Sequence, residues 1–373
     1  MSTRIFTITH KPFTPPNDPL YIPLHVGRAG SADLGFLGDD TGDNISALNP
    51  YFCELTGMYW LWKNYHDAKN IGICHYRRYL INEDGALFTE TEINSLLSQC
   101  DIITTKLLDL TCSYYHGFGE NHHLKDLITT GDVLKEKYPA YADIFDSLVH
   151  GTHTYFGNIF ITSKKCYDNY CAWLFDILFE VQKRTDMSGY NDYNQRLFGF
   201  LSEFLQTVYI RHNGLHALEC KVGMSGEKYE TRQLREQLAA FLEQRKYEQA
   251  GNYFLNCYQI RPDVLMEASD VTGELRLCMQ IISTCSFEDA MYQKCILDTI
   301  RDYKSLIAHF HRLNAAVSHF LADTPSEEDI RFLSQNSCIT QAAIDISLKL
   351  FCKEETLRQQ VSCKLWEACK NGS

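Results

Sequence analysis

The sequence predicts an α/β domain with a mostly parallel sheet over residues 1–225, followed by an all-α region over 226–373. Three observations carry this. Short β-branched and aromatic runs alternate with segments of helical period up to about residue 225, loops rich in Gly and Asp leave the strands, and beyond residue 226 only the helical period persists. The length, 373 residues, exceeds the roughly 100 to 200 residues usual for one domain.

The elements follow in order. RIFTITH (4–10) is a first strand, and NPYFCELTGMYWLWKNYHDA (49–68) a helix with Pro50 near its start, where a missing N–H costs little. NIGICHYRRYL (70–80) is a second strand, TETEINSLLSQC (89–100) a helix and DIITTK (101–106) a third strand. A strand over 155–162 leads into a long amphipathic helix. NDYNQRLFGFLSEFLQTVYIRHN is a further helix with Phe198, Leu201, Leu205 and Val208 on one face. In the second region, KYETRQLREQLAAFLEQRKYEQAGNYFLNCYQIRPD pairs two helical segments around a short turn, like one degenerate tetratricopeptide unit. No clean second copy follows it. Thr324, Pro325 and Ser326 mark a helix break and N-cap.

Composition narrows the function. A formal net charge of −12 argues against a general nucleic-acid binder, which needs excess Lys and Arg against phosphate. Aromatic residues make up 13% of the chain, enough to furnish stacking or sugar-contacting surfaces besides the core. The fifteen cysteines are scattered, without a C-x-x-C pair, and are expected to be reduced. No signal-like or membrane-spanning apolar run is present, so a cytoplasmic location is expected, with at most peripheral membrane contact.

Four constellations could carry chemistry. In HYRRYL, Arg77 and Arg78 offer planar donors for a phosphate, with His75 and Tyr76 beside them. An Arg paired with one of the many acids is an equally good reading. In GDDTGDNIS, the acids Asp39, Asp40 and Asp43 could ligate Mg²⁺ or Mn²⁺, or the segment could be a turn with Asn44 or Ser46 capping a helix. YYHGFGENHH gathers His116, Glu120, His122 and His123 without an established zinc spacing and reads as a mobile, substrate-facing loop. Asp192 and Glu203 are candidate general bases, against the ordinary roles of helix-dipole complement and solvated or paired carboxylate. P-loop, dinucleotide-binding and nucleophile-elbow motifs are all missing.

Taken in order, ITHKPF, YIPLHVGRAG, DDTGDNIS, NPYFCELTGMYWLWKN, GICHYRRYL, FGNIFITSKKCYDNYCAWLFDIL and QRLFGFLSEFL resemble the bacterial family DUF4422 of capsule, exopolysaccharide and O-antigen (lipopolysaccharide) biosynthesis. The resemblance covers about residues 4–215 and leaves the tail uncovered. It implies a GT-A-like nucleotide-diphosphosugar transferase domain, with inverting galactofuranosyl transfer from UDP-galactofuranose as the leading activity. Another nucleotide sugar, or a non-catalytic carbohydrate-binding or scaffolding protein, is the alternative.

The resemblance also distributes roles. HYRR stands where such folds usually carry a metal-binding D-x-D, so Arg77 and Arg78 with His75 and Tyr76 are expected to face the diphosphate. No metal site is assigned, and Mn or Mg remains the alternative cofactor. Thr9 and His10 are expected near the base and ribose, and Asp40, Asp43 and Asn44 beside the donor. Gly157, Asn158, His116 and Arg196 are expected on the sugar or acceptor side. Glu203 ranks above Asp192 as the base because it lies in a resembling block. The family block commonly reads SERL, whereas here it reads SEFL, so Phe204 stands in place of an arginine. Expected partners are a nucleotide-sugar donor, a saccharide or lipid-linked acceptor, no nucleic acid, and a protein partner for the helical tail.

Overall fold

The structure, a computed structural model, describes residues 2–265 and 269–370. It divides into two compact units, Met1–Ser225 and Gly226–Ser373.

The first unit runs β1 (Thr3–Thr9), β2 (Tyr21–His25), β3 (Leu37–Gly38), α1 (Asn49–Phe52), α2 (Leu55–Asn64), β4 (Asn70–His75), β5 (Arg78–Ile81), α3 (Glu90–Leu96) and β6 (Ile102–Thr105). It continues with β7 (Leu108–Asp109), α4 (Tyr114–Asn121), α5 (Leu124–Lys137), α6 (Ala142–Val149), β8 (His153–Thr154), β9 (Phe160–Ser163), α7 (Lys164–Arg184), α8 (Leu197–His212) and β10 (Ala217–Met224). Eight strands form one sheet in the order β3-β2-β1-β4-β5-β10-β6-β9, with β4 also pairing β9; β7 and β8 form a separate ribbon.

The sheet is mixed, which corrects the expectation of a mostly parallel one. Strand β1 is parallel to β2 and β4, β2 to β3, and β10 to β6. In contrast, β5 runs antiparallel to β4 and β10, and β9 antiparallel to β4 and β6. One reversal lies inside the segment read as a single strand: His75 pairs with Arg78 across a two-residue turn, Tyr76–Arg77. Neither turn residue has a positive φ, so the hairpin lacks the Asn-Gly signature that would have betrayed it.

Two more expected elements break. The helix predicted over 49–68 divides into α1 and α2 at Cys53, whose φ of 51° and ψ of −127° are far from helical. The strand predicted over 155–162 is interrupted by Gly157 (φ 95°) and Asn158 (φ 48°), whose positive φ values lie outside the strand region. The segment 114–123, expected as a loop, is mostly helix α4, because Ser113 caps it by accepting from the His116 N–H at 3.2 Å.

Both faces of the central sheet are covered, so β1 and β4 are buried nearly throughout. Phe6, Leu24, Ile71 and Ile73 meet Phe52, Leu55 and Met58, Tyr167 and Phe175 of α7, and Phe198, Leu201 and Leu205 of α8. Each such side chain contributes about 1.5 to 3 kcal/mol. Close approach is secured at Gly57, where a Cβ would lie 2.7 Å from Val26 Cγ1. Phe204 is likewise core, stacked on Tyr114 with ring centroids 4.2 Å apart.

The second unit is helical: α9 (Tyr229–Glu243), α10 (Tyr247–Ile260), α11 (Glu274–Tyr292), α12 (Tyr303–Leu321), α13 (Glu327–Gln335), α14 (Gln341–Phe351) and α15 (Glu355–Lys370). Its own core contains Leu238, Leu275, Ile281, Phe310, Leu313, Ile344 and Leu365. The break at 324–326 holds a capping box between Ser326 and Asp329. All fifteen cysteines are free thiols. Among the described residues no helix is long and apolar enough to cross a membrane.

Candidate functional site

The chain leaves β1 for β2 on one side, and β4 lies on the other side of β1. In an open α/β sheet such a switch of direction opens a crevice at the carboxyl ends of the strands. Here those ends carry Thr9, His10, His75, Tyr76 and Arg77. The Thr9 hydroxyl is used locally, donating to the Lys11 carbonyl at 2.6 Å and accepting from its N–H at 3.1 Å. His10 is exposed and meets the Tyr76 ring edge-on at 5.8 Å. Phe13 lies between Tyr76 and Phe36, at 6.0 and 5.5 Å. The result is a shelf of ring faces beside a basic turn.

The turn separates the two arginines, as alternation along a strand would suggest. The Arg77 guanidinium lies 5.1 Å from the Tyr76 ring centroid, and its Nε and Nη1 are buried without a hydrogen-bond partner. Buried unpaired donors cost roughly 1 to 3 kcal/mol, more when charged, which a bound anion would recover. Arg78 opens β5, with Nη2 3.2 Å from His75 Nδ1 and Nη1 against Gly157, where a Cβ would lie 3.3 Å away. Burial, then the Arg78 charge, holds His75 neutral with a pKa well below the usual range. Neutral His75 can accept from Arg78 at Nδ1.

Behind Arg78 stands Glu203, on α8. Burial and the nearby Glu54 charge push its carboxyl up to about 7, against the opposing pull of Arg78, Arg196 and the Gly157 backbone. Glu54, at the α1–α2 corner, accepts from Asn158 Nδ2 at 2.6 Å, and the same nitrogen donates to Ser202 Oγ at 2.8 Å. Asn158 is fully buried and its Oδ1 has no partner. Two carboxylates, two guanidiniums and a fixed carboxamide therefore converge.

This brings together His75, Arg77, Arg78, Gly157, Asn158, Arg196 and Glu203 from three separated segments of the chain, and adds Glu54, which sequence reasoning missed. The only signal for Glu54 was an acid inside an otherwise apolar resembling block. Other candidates fall elsewhere. Asp192 is exposed in the turn ahead of α8, not on the helix, because α8 starts at Leu197. His116 is exposed on α4 and pairs with Glu120 at 3.2 Å. His122 and His123 pack on Phe200 and Tyr190 at 4.3 and 4.1 Å.

The Gly/Asp loop is built by its own acids. Asp39, wholly buried, accepts from the N–H groups of Gly27 and Arg28 and from the hydroxyls of Ser46 and Thr56. Asp43 accepts from Tyr59 OH at 3.0 Å, and Asn44 closes an Asx turn by accepting from the Ser46 N–H at 3.2 Å. Asp40 keeps one buried oxygen without a partner and has the other 3.7 Å from Arg28 Nε. Among the described residues no three His, Cys, Asp or Glu side chains converge to hold a metal. A saturated Asp39 and a cationic turn do not fit a divalent cation.

Comparison with known proteins follows the same segment. A solved structure described as the WbbM bifunctional glycosyltransferase in its apo form superposes with a TM-score of 0.57 at 31% identity, over 62% of this chain and 46% of that one. The match thus spans less than half of that protein. No curated protein matches significantly. The family profile of DUF4422, described as a domain of unknown function, matches residues 4–214, more than half of the chain. The chain belongs to the DUF4422 family.

Proposed function

We propose that this chain is a glycosyltransferase with a GT-A-like donor domain, transferring galactofuranose from UDP-galactofuranose, with inversion, to a hydroxyl of a saccharide or lipid-linked acceptor. The observation that carries this reading is the half-buried Glu203 carboxyl, raised by desolvation and the Glu54 charge and near the charges of Arg78 and Arg196, beside a turn whose Arg77 Nε and Nη1 are unpaired. A carboxyl pushed up to about 7 is suited to take a proton near neutral pH. In this reading the Glu203 carboxylate accepts the acceptor hydroxyl proton as that oxygen bonds to the anomeric carbon. The anomeric C–O bond to the diphosphate breaks, and its electron pair leaves on the nucleoside diphosphate.

Arg77 and Arg78 stabilise that developing charge as fixed donors. The rings of His10, Phe13 and Tyr76 offer faces for the base. No step is routed through a metal. The glycosyltransferase named in the comparison supports the reaction class. The donor sugar, the role in surface-polysaccharide assembly, a cytoplasmic site with peripheral membrane contact and a partner-binding role for the helical unit are parts of the same proposal.

A thermal-shift panel of nucleotide sugars, with EDTA or with Mn²⁺, tests it, because a donor that binds the native state raises its melting temperature. UDP-galactofuranose is expected to raise it in EDTA, and donor hydrolysis to be lost in Glu203→Gln. A panel without any shift, or stabilisation only with Mn²⁺, contradicts the metal-independent reading.

A further inference from the structure

The corner that carries Glu54 is held from several directions. Cys53 has a backbone conformation that residues with a side chain rarely adopt (φ 51°, ψ −127°), and such strain persists only where the surroundings impose it. Asn49 Nδ2 donates to the Cys53 carbonyl at 2.7 Å and to Thr56 Oγ1 at 3.2 Å, and Thr56 donates on to the buried Asp39 at 2.6 Å. On the other side Gly199 of α8 lets the corner approach: a Cβ there would lie 3.3 Å from Cys53 Sγ and 3.9 Å from Glu54 Oε2. The loop aspartate thus anchors the corner, and the corner aims Glu54 at Asn158.

Asn158 is held as firmly. Its left-handed backbone (φ 48°) follows Gly157, and its Nδ2 donates to Glu54 and to Ser202, whose own hydroxyl donates to the Gly199 carbonyl at 2.7 Å. With both amide hydrogens engaged, the carboxamide cannot turn over without losing two bonds. Its oxygen is fully buried, unpaired and fixed in direction. An acceptor-only atom of this kind calls for a donor, and a sugar hydroxyl supplies one.

Resting on the transferase reading above, we infer that Glu54 is a positioning residue: it holds Asn158 so that Oδ1 accepts a hydrogen bond from a hydroxyl of the sugar substrate. The site therefore favours a sugar bearing that hydroxyl over its deoxy analogue, which would leave the oxygen unpaired.

The test measures kcat/KM for donor hydrolysis, and for transfer to a saccharide acceptor, with UDP-galactofuranose, UDP-galactose and UDP-glucose as probes. Glu54→Leu and Asn158→Gly, the latter keeping the left-handed backbone, are each expected to lower it about 10- to 100-fold. The double variant is expected to be no worse than Asn158→Gly alone. Glu54→Gln, which keeps a carbonyl acceptor for Nδ2, is expected to restore most of the loss. Glu54→Ala replaces Glu54→Leu if the melting curve shows that leucine unsettles the fold. Losses in hydrolysis assign the hydroxyl to the donor sugar; losses in transfer alone assign it to the acceptor. Multiplying losses in the double variant, or Glu54→Gln as poor as Glu54→Leu, overturn the role of Glu54 alone. A wild-type protein that neither binds nor turns over any probe overturns the transferase reading, and this inference with it.

Discussion

The two units differ in how their buried unpaired polar atoms are grouped. In the first, several buried polar atoms without partners gather around one sheet edge: His75 Nε2, Arg77 Nε and Nη1 and Asn158 Oδ1. In the second, the buried acids are fully engaged. Asp329 accepts from Arg312, His319 and Ser326, and Glu288 accepts from Thr340 and from the Ile296 N–H. Among the described residues the second unit leaves two buried side-chain polar atoms without partners, Thr231 Oγ1 and His309 Nε2, and exposes apolar groups including Leu255, Ile260, Phe287, Met291, Leu350 and Phe351. Buried polar groups left open point to a ligand, whereas exposed apolar groups point at most to a surface. The grouping of His75, Arg77 and Asn158 is the reason the proposed chemistry is assigned to the first unit.

Substitutions can break or sharpen this contrast. The largest effect is expected from Glu203→Gln, which removes the proposed proton acceptor and should lower kcat about 10²- to 10⁴-fold with the melting temperature nearly kept. Steady-state kinetics beside a melting curve would check it. In the second unit, Asp329→Ala should do the reverse. It leaves Arg312 without its buried partner and is expected to cost about 3 to 5 kcal/mol, read as a lower melting temperature at unchanged KM. Burial opposes the charge on Asp329, but its bonds from Ser326, Arg312 and His319 prevail and hold the carboxyl below its usual range.

A third prediction uses the unpaired guanidinium. Arg77→Ala orphans no side-chain partner, so the fold should keep its melting temperature while donor KM rises about 10-fold or more. The pH dependence follows from Glu203. A base works ionised, so kcat/KM should fall as pH drops through about 7. Glu54→Gln removes the neighbouring charge that raises this value, so its acid limb should move to lower pH. The smallest effect is expected at the exposed face: Phe287→Ser should change stability by no more than about 0.5 kcal/mol and leave turnover intact.

How much of this was legible in the sequence depends on whether a residue's role was local. Glu203 and Arg77 stood in recognisable blocks, and the helical period gave the buried face of α8. The hairpin at Tyr76–Arg77 was hidden because it uses neither Gly nor Asn, so HYRRY read as one strand. The break at Cys53 was hidden because its conformation is imposed by Asn49 and Gly199, partners that propensity does not see. Asp39, Asp43 and Asn44 matched two chemistries on paper, and contacts with Thr56 and Tyr59 decided for the loop. Glu54 was the costliest miss, since an acid in a helical segment looks like any solvated carboxylate until Asn158 is beside it.

The central claim is that the carboxyl edge of β1 and β4 binds a nucleoside-diphosphate sugar through arginine donors. Calorimetric titration of UDP into wild type and Arg77→Ala, both in EDTA, tests it most directly. The account predicts metal-free binding by wild type and at least about 10-fold weaker binding by the variant. Equal affinity in the two proteins, or no binding until Mn²⁺ is added, would contradict it.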